Sequence, residues 1–216
     1  CSSDLHADLG DGQGPRTMAM RLLQAAPARI YRVDAPKNNA ARTSLPPALR
    51  EAPMPTIVAR RRGDAWERPF IAVFEPYLER DGSALTALRQ PSAVSAPSLA
   101  AVEVVGSGAR TLLVHDDLPG SERQVDNLRF NGTLAVVRRT DDHVDELYLA
   151  GGTAIAWPGV ATLAAEDKGD LSLRRTPDGW LLACSVPVQV AVDGGRTPRR
   201  LPAGTHPRLA IHPPPP

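Results

Sequence analysis

Proline interrupts this chain too often for long helices, since 22 of its 216 residues are proline. Each one removes a backbone donor and fixes φ, so it breaks a helix interior or a central strand wherever it falls. Between the prolines lie short apolar runs, several of them separated by Asn131-Gly132, Gly151-Gly152, Asp178-Gly179 or Asp193-Gly194. Asn-Gly and Asp-Gly supply the positive φ angles that tight hairpin turns need. Hydrophobic residues make up 42% of the chain but few are aromatic, a composition suited to many short strands. These features predict an all-β fold, an antiparallel β-sandwich of many short strands joined by hairpins.

Residues 17–23 and 28–33 nearly alternate, as two strands around a short connection would. Residues 34–55 hold Lys37, Asn38, Asn39, Pro46, Pro47, Pro53 and Pro55 without lasting periodicity, and read as a long loop with one helical turn near residues 48–51. Residues 56–62 and 69–77, on either side of Gly63-Asp64 and Trp66, read as a hairpin. A turn at Asp81-Gly82 precedes another run over 83–89. The small-residue, proline-containing stretch 91–100 is the best internal boundary. Strands are then expected at 101–105, 110–115, 133–139, 144–149, 153–157, 160–164, 171–174, 180–186 and 188–192. The predicted organisation is a stub over 1–16, a first β layer over 17–90 containing the 34–55 loop, the 91–100 connection, a C-terminal β-sheet part over 101–212 and a disordered tail over 213–216.

Cys1-Ser2-Ser3-Asp4-Leu5 is the in-frame translation of the tail of a common sequencing adapter, GCTCTTCCGATCT preceded by T. These five residues are therefore expected to be a sequencing artefact, with the natural chain cut upstream. No initiator Met or apolar leader precedes the first strand, so a targeting peptide cannot be read. The other cysteine, Cys184, lies in the strand-like run Trp180-Leu181-Leu182-Ala183-Cys184-Ser185-Val186, where a buried thiol acts as a small apolar residue. A disulfide framework is not supported. Lys plus Arg number 25 against 24 Asp plus Glu, which gives no general field for nucleic acid or an anionic membrane. Any surface for a polyanion must be local. No apolar run is long enough to cross a bilayer as a helix, and neither a nucleic-acid nor a membrane partner is expected.

Two stretches resemble heparinase II/III-type polysaccharide lyases. Arg68-Pro69-Phe70-Ile71-Ala72-Val73-Phe74-Glu75-Pro76-Tyr77, followed by Leu85-Thr86-Ala87-Leu88, resembles the segment of that family in which a strand ends in Glu-Pro-Tyr or Glu-Pro-Phe. The second comprises Val114-His115-Asp116-Asp117, Phe130-Asn131-Gly132-Thr133-Leu134-Ala135-Val136-Val137-Arg138 and Leu147-Tyr148-Leu149-Ala150-Gly151-Gly152-Thr153, and is similar to the family's closing region. Together they extend the resemblance over residues 17–164. It implies a parent enzyme with an N-terminal α/α toroid and antiparallel β-sheet domains, which cleaves acidic polysaccharides by β-elimination. Only the β part is represented here. The resemblance thus implies a C-terminal, non-catalytic β-sandwich portion that buttresses the toroid and flanks the substrate cleft, inactive alone. Its implied partners are an acidic polysaccharide and the missing toroid of the same chain, its location periplasmic or secreted, and no cofactor is called for.

Elimination from a uronic acid needs a base for the C5 proton, an acid for the leaving oxygen and a group that neutralises the carboxylate. In the resembled family the Asn, His and Tyr that do this lie mainly in the toroid and at its seam, and no position here matches, so no catalytic residue is carried over. His6, His115, His143, His206 and His212 lack the paired spacing of a zinc site, and no metal is expected; His115 beside Asp116 and Asp117 is the least ordinary. Four residues are candidates for substrate contact. Glu75 is a charge at the end of an apolar strand, fixed by Pro76, although pairing with an arginine or a place at a domain seam is the commoner role. Tyr77 and Trp66 offer planes that suit the C–H faces of sugars, as do Trp157 and Trp180, although large aromatics in a sandwich are more often core. Arg61, within Arg60-Arg61-Arg62, can bind a carboxylate or sulfate in bidentate fashion; an exposed strand end that resists edge pairing is the commoner reading. Asn131-Gly132-Thr133 fits a glycosylation pattern but is already explained as a turn. The alternative to a lyase portion is a free-standing carbohydrate-binding or scaffold module, which needs a concave face or aromatic platform of its own. An independent hydrolase ranks last, since no Gly-x-Ser-x-Gly elbow or similar device is present.

Overall fold

The computed structural model describes residues 2–7, 16–23, 28–35, 54–63, 70–92, 96, 98–141, 143–192 and 197–209. Every regular element among them is a strand. In chain order these are β1 (Ser2–Ala7), β2 (Arg16–Leu23), β3 (Arg29–Ala35), β4 (Met54–Arg60), β5 (Ile71–Leu78), β6 (Leu85–Arg89), β7 (Leu99–Gly106), β8 (Arg110–Asp116) and β9 (Arg123–Val125). Then follow β10 (Leu128–Asn131), β11 (Leu134–Thr140), β12 (His143–Trp157), β13 (Ala161–Thr176), β14 (Gly179–Cys184), β15 (Val188–Val192), β16 (Arg199–Leu201) and β17 (Gly204–Leu209). The chain divides into two units. Residues 24–68 form one and the rest form the other.

The larger unit holds a three-stranded sheet, β1-β2-β5, and a twelve-stranded sheet. All pairings are antiparallel. The large sheet folds back on itself because its two longest strands bend. The first half of β12 pairs with β11 and with Leu171 to Arg174 of β13, whereas its second half pairs with β10 and with Ala161 to Ala164 of β13. The second half of β13 continues to β14 and β17, the first half to β15 and β16. One layer is therefore β6-β7-β8-β11-β12-β13-β14-β17 and the other β9-β10-β12-β13-β15-β16.

The bend sits at Gly151-Gly152, where the β12–β13 register shifts on either side of Gly152. Gly151 has φ 59, the left-handed region that a side chain disfavours. A Cβ on Gly152 would collide with the Asn131 carbonyl oxygen and with Gly132 Cα, because β10 crosses the corner there.

Period-two alternation turns one side of each layer inward. Val114, Val137, Leu147, Leu149, Leu171, Leu173 and Leu182 from one layer join Phe130, Ile155, Leu163, Val188 and Val190 from the other in a single buried cluster. Each fully buried large apolar side chain contributes about 1.5–3 kcal/mol. Trp180 is fully enclosed in this core, and the Arg175 guanidinium lies 4.8 Å from its ring centroid. Cys184 is buried, as its strand pattern predicts, with Sγ 3.4 Å from the Pro202 carbonyl oxygen.

The all-β sandwich read from the sequence is thus the observed architecture, but several expected pairings are not. Strand β4 does not form a hairpin with β5: β3 pairs with β4 along its whole length, and β5 pairs with β2. Alternation identifies a strand but not its partner, and residues 24–68 are an insertion between two neighbouring strands. Gly151-Gly152 is a bend inside one strand rather than a hairpin turn. Strand β6 pairs with β7, and the described residues of the 91–100 connection that precede β7 are 91, 92, 96 and 98. Residues 2–7 of the expected stub form β1 against β2; an edge strand asks only for backbone donors and acceptors, which any sequence has. Most of the 34–55 loop, including the expected turn at 48–51, and the 213–216 tail lie outside the described residues.

Candidate functional site

Strand β5 brings Glu75 onto the buried side of the three-stranded sheet, opposite Ala19 of β2. Its Oε1 accepts the Ala84 and Leu85 amides at 2.7 and 3.0 Å, and its Oε2 accepts the Ser83 hydroxyl at 2.6 Å. Arg21 Nη2 donates to Ser83 Oγ at 2.7 Å and stands 3.9 Å from Oε2. Burial pushes the Glu75 carboxyl up, yet the Ser83 hydroxyl, the Leu85 and Ala84 amides and the Arg21 charge together hold it below the usual carboxylate range. Both oxygens are occupied in tying β5 to the start of β6. Glu75 therefore links the small sheet to the sandwich.

Tyr77 is half-buried on the same side of β5, opposite Thr17. Arg61 follows β4 in the separate 24–68 unit, and Trp66 lies outside the described residues. Trp157 and Trp180, the other sugar-stacking candidates, are core residues. The opposite face of β2 and β5 is apolar and open. Met20 pairs with Phe74 and Met18 with Pro76, while Phe74 is 62%, Phe70 47% and Met18 39% exposed.

A second buried acid went unassigned in the sequence. Asp116, at the end of β8, is fully enclosed. Its Oδ1 accepts the Leu118 amide at 3.0 Å and its Oδ2 accepts Arg123 Nε at 2.7 Å. Burial raises its pKa, but Arg123, the Leu118 amide and the Ser98 hydroxyl overcome this and hold it below the usual range. Beside it, His115 Nδ1 lies 3.3 Å from Asp117 Oδ1, both side chains about half exposed. Among the described residues no three His, Cys, Asp or Glu side chains converge as metal ligands would.

The outer face of the first sandwich layer carries a cleft of about 340 Å³ lined by Tyr148, Asp170, Ser172, Cys184, Ser185 and Thr205 among others. Its floor is one lateral row across four strands. Tyr148 of β12 pairs with Ser172 of β13, Ser172 with Ala183 of β14, and Ala183 with Thr205 of β17. Paired residues share a face, so Tyr148 begins a row whose other three members are small side chains. At the end of the row Gly151 N donates to Asp170 Oδ1 at 2.9 Å, and Asp170 N donates to Ser185 Oγ at 2.7 Å. No sequence motif marks these residues. Only the register of four strands brings them together.

The class that this fold defines is the antiparallel β-sandwich, here with an open cleft of mixed polar and apolar lining on one face. No protein-family model matches the chain. In sequence it is similar to the endo-acting ulvan lyase of Formosa agariphila, with 27% identity over 131 residues, covering 56% of this chain and 16% of that protein. The chain thus spans about a sixth of the length of the relative it matches. Its similarity is to a polysaccharide lyase, as the sequence reading expected at that level. Among the described residues no helix is long and apolar enough to cross a membrane.

Proposed function

We propose that this chain is a non-catalytic β-sandwich portion of a larger polysaccharide lyase of the heparinase II/III type, buttressing the catalytic toroid and holding acidic polysaccharide beside it. The observation that carries the reading is the apolar outer face of β2 and β5. Contiguous exposed apolar surface of this kind marks an interaction site, and Phe74, Met18 and Pro76 offer an apolar surface to a packed neighbour. The chain spans only 16% of its relative, so such a protein has ample further chain to supply that neighbour. The toroid of the same polypeptide is the proposed occupant.

Polysaccharide contact is supported by the likeness to an enzyme named for a polysaccharide, and by cations placed locally on a nearly neutral chain. Arg138 and Arg174 stand exposed on the outer face of the first layer, each opposite Glu146. A polymer substrate is too large to cross a bilayer unaided, which favours a periplasmic or secreted location.

Affinity electrophoresis of the chain in native gels containing ulvan, alginate or heparin tests the reading, with absorbance of unsaturated uronate followed on the same mixtures. Retarded migration in at least one polymer without unsaturated product is expected. Unretarded migration in all of them, or product formed by this chain alone, overturns it.

A further inference from the structure

We propose that the cleft on the outer face of β12, β13, β14 and β17 is a saccharide subsite, holding one hydroxyl-rich ring against Tyr148, with an adjoining uronate or sulfate reaching Arg174. The proposal rests on the polysaccharide-binding reading above and gives it a place.

The cleft has the right size and lining. Its volume of about 340 Å³ falls in the range of small-molecule sites, which combine apolar surface with a few placed polar groups. Tyr148 is half-buried, and its row-mates Ser172, Ala183 and Thr205 are small. Large side chains at those three positions would fill the space. Instead one face of the ring's neighbourhood stays open, a shelf suited to the C–H face of a pyranose.

Its polar groups are arranged for hydroxyls. Asp170 spends Oδ1 on the Gly151 amide and its own amide on Ser185 Oγ. With that oxygen used as an acceptor, the Ser185 hydroxyl still has its proton to donate. Asp170 Oδ2 and the Ser185 hydroxyl have no other partner among the described residues, so an acceptor and a donor are left over, each residue fixed by a backbone contact at the β13 corner. Two neighbouring sugar hydroxyls, one giving and one taking a hydrogen bond, satisfy both. The Ser172 and Thr205 hydroxyls add further donors along the floor. A purely structural Asp170 needs only the Gly151 contact, and would leave the rest of this arrangement without a use.

Charge sets the class of polymer. Arg174 is two residues from Ser172 on the same side of β13, since Leu171 and Leu173 point into the core; that spacing is roughly 7 Å along a strand. Arg174 is exposed and forms no ion pair among the described residues, although Glu146 is its cross-strand partner. An anionic group on the next sugar of a chain laid along β13 meets that guanidinium, while Asp170 keeps the ring in the cleft itself uncharged.

The full chain is run in native gels containing ulvan or, as a neutral polymer, dextran, and compared with four variants whose melting temperatures are measured in parallel. Tyr148→Ala is expected to weaken ulvan binding about tenfold or more, and Tyr148→Phe to retain most of it. Asp170→Asn keeps the Gly151 contact through its amide oxygen but presents a donor where the acceptor stood, and is also expected to weaken binding. Thr205→Trp, at an exposed position, fills the cleft without touching the core and is expected to abolish retardation. Arg174→Ala is expected to lower ulvan affinity several-fold and to flatten its salt dependence, with dextran unaffected. If the wild-type chain is retarded but Tyr148→Ala and Thr205→Trp, melting as the wild type does, are retarded equally, the cleft is not the site and only the broader reading survives. If the wild type is retarded by none of ulvan, alginate, heparin and dextran, both fail.

Discussion

Replacing Asp116 with Asn tests whether the buried carboxylate at the end of β8 organises its loop through its charge. The two side chains have the same shape, so packing is held constant. Asp116 accepts from the Leu118 amide and from Arg123 Nε, while Asp117 N donates to the Ser98 carbonyl oxygen and Asp116 N to that of Thr133. An asparagine has a single oxygen for the Leu118 amide, the Arg123 guanidinium and the Ser98 hydroxyl, and must aim an N–H at one of these donors. Removing one member of a buried ion pair costs about 3–5 kcal/mol. Arg123 is 24% exposed, so water recovers part of that, and about 2–3 kcal/mol is expected at pH 7. In a domain of this size the loss corresponds to a melting temperature lower by roughly 5–10 °C. The folded carboxyl is held below its ordinary value, so the unfolded state takes up its proton first as pH falls. The contribution is therefore fully present above about pH 4 and disappears as pH drops through the lowered folded value. Glu75 follows the same course in both proteins and cancels in the difference. Urea unfolding followed by the fluorescence of the buried Trp157 and Trp180 gives the gap directly. A gap below about 0.5 kcal/mol at pH 7, or one that persists unchanged to about pH 2.5, would refute the reasoning.

Three other substitutions probe different parts of the fold. Gly152→Ala places a methyl group against the backbone of Asn131 and Gly132 and is expected to lose more than about 2 kcal/mol in the same urea assay, whereas Gly159→Ala, in open space at φ 78, loses about 1 kcal/mol. Phe74→Ser should change stability by less than about 0.5 kcal/mol, because the ring is 62% exposed, and should reduce concentration-dependent light scattering by the isolated chain. Glu75→Gln keeps an acceptor for the Ala84 and Leu85 amides but loses the charge near Arg21; about 1–2 kcal/mol of stability is expected to go, with retardation in polysaccharide gels unchanged because both carboxylate oxygens already have partners.

What the sequence made legible was local. Apolar alternation over 110–115 and 188–192 corresponds closely to β8 and β15, and Asp178-Gly179 does sit in the turn between β13 and β14, where Thr176 pairs with Gly179. Local signals fail where partner choice is decided at long range. The run over 69–77 was matched to its neighbour in sequence, yet β5 pairs with β2, because strand pairing follows which faces can be buried together rather than which strands are adjacent. Gly151-Gly152 and the break between 160–164 and 171–174 read as ends of strands for a related reason. Glycines and exposed polar residues mark any sharp change of direction, and a strand that leaves one layer for the other changes direction as sharply as one that turns back.

The same distinction separates the two acids at the strand ends from the cleft. Glu75 could be singled out because a carboxylate beside Pro76 after an apolar run is anomalous on its own, and the arginine partner considered for it is found in Arg21. Tyr148, Asp170, Ser172, Ala183, Ser185 and Thr205 are each unremarkable for an exposed strand position. Their relation exists only once Tyr148, Ser172, Ala183 and Thr205 fall in one register row and the β13 corner swings Asp170 and Ser185 to its end. The corner that makes the sandwich also makes the cleft. Loss of the bend, as in Gly152→Ala, should therefore remove polysaccharide retardation together with stability, whereas Thr205→Trp should remove the first and spare the second.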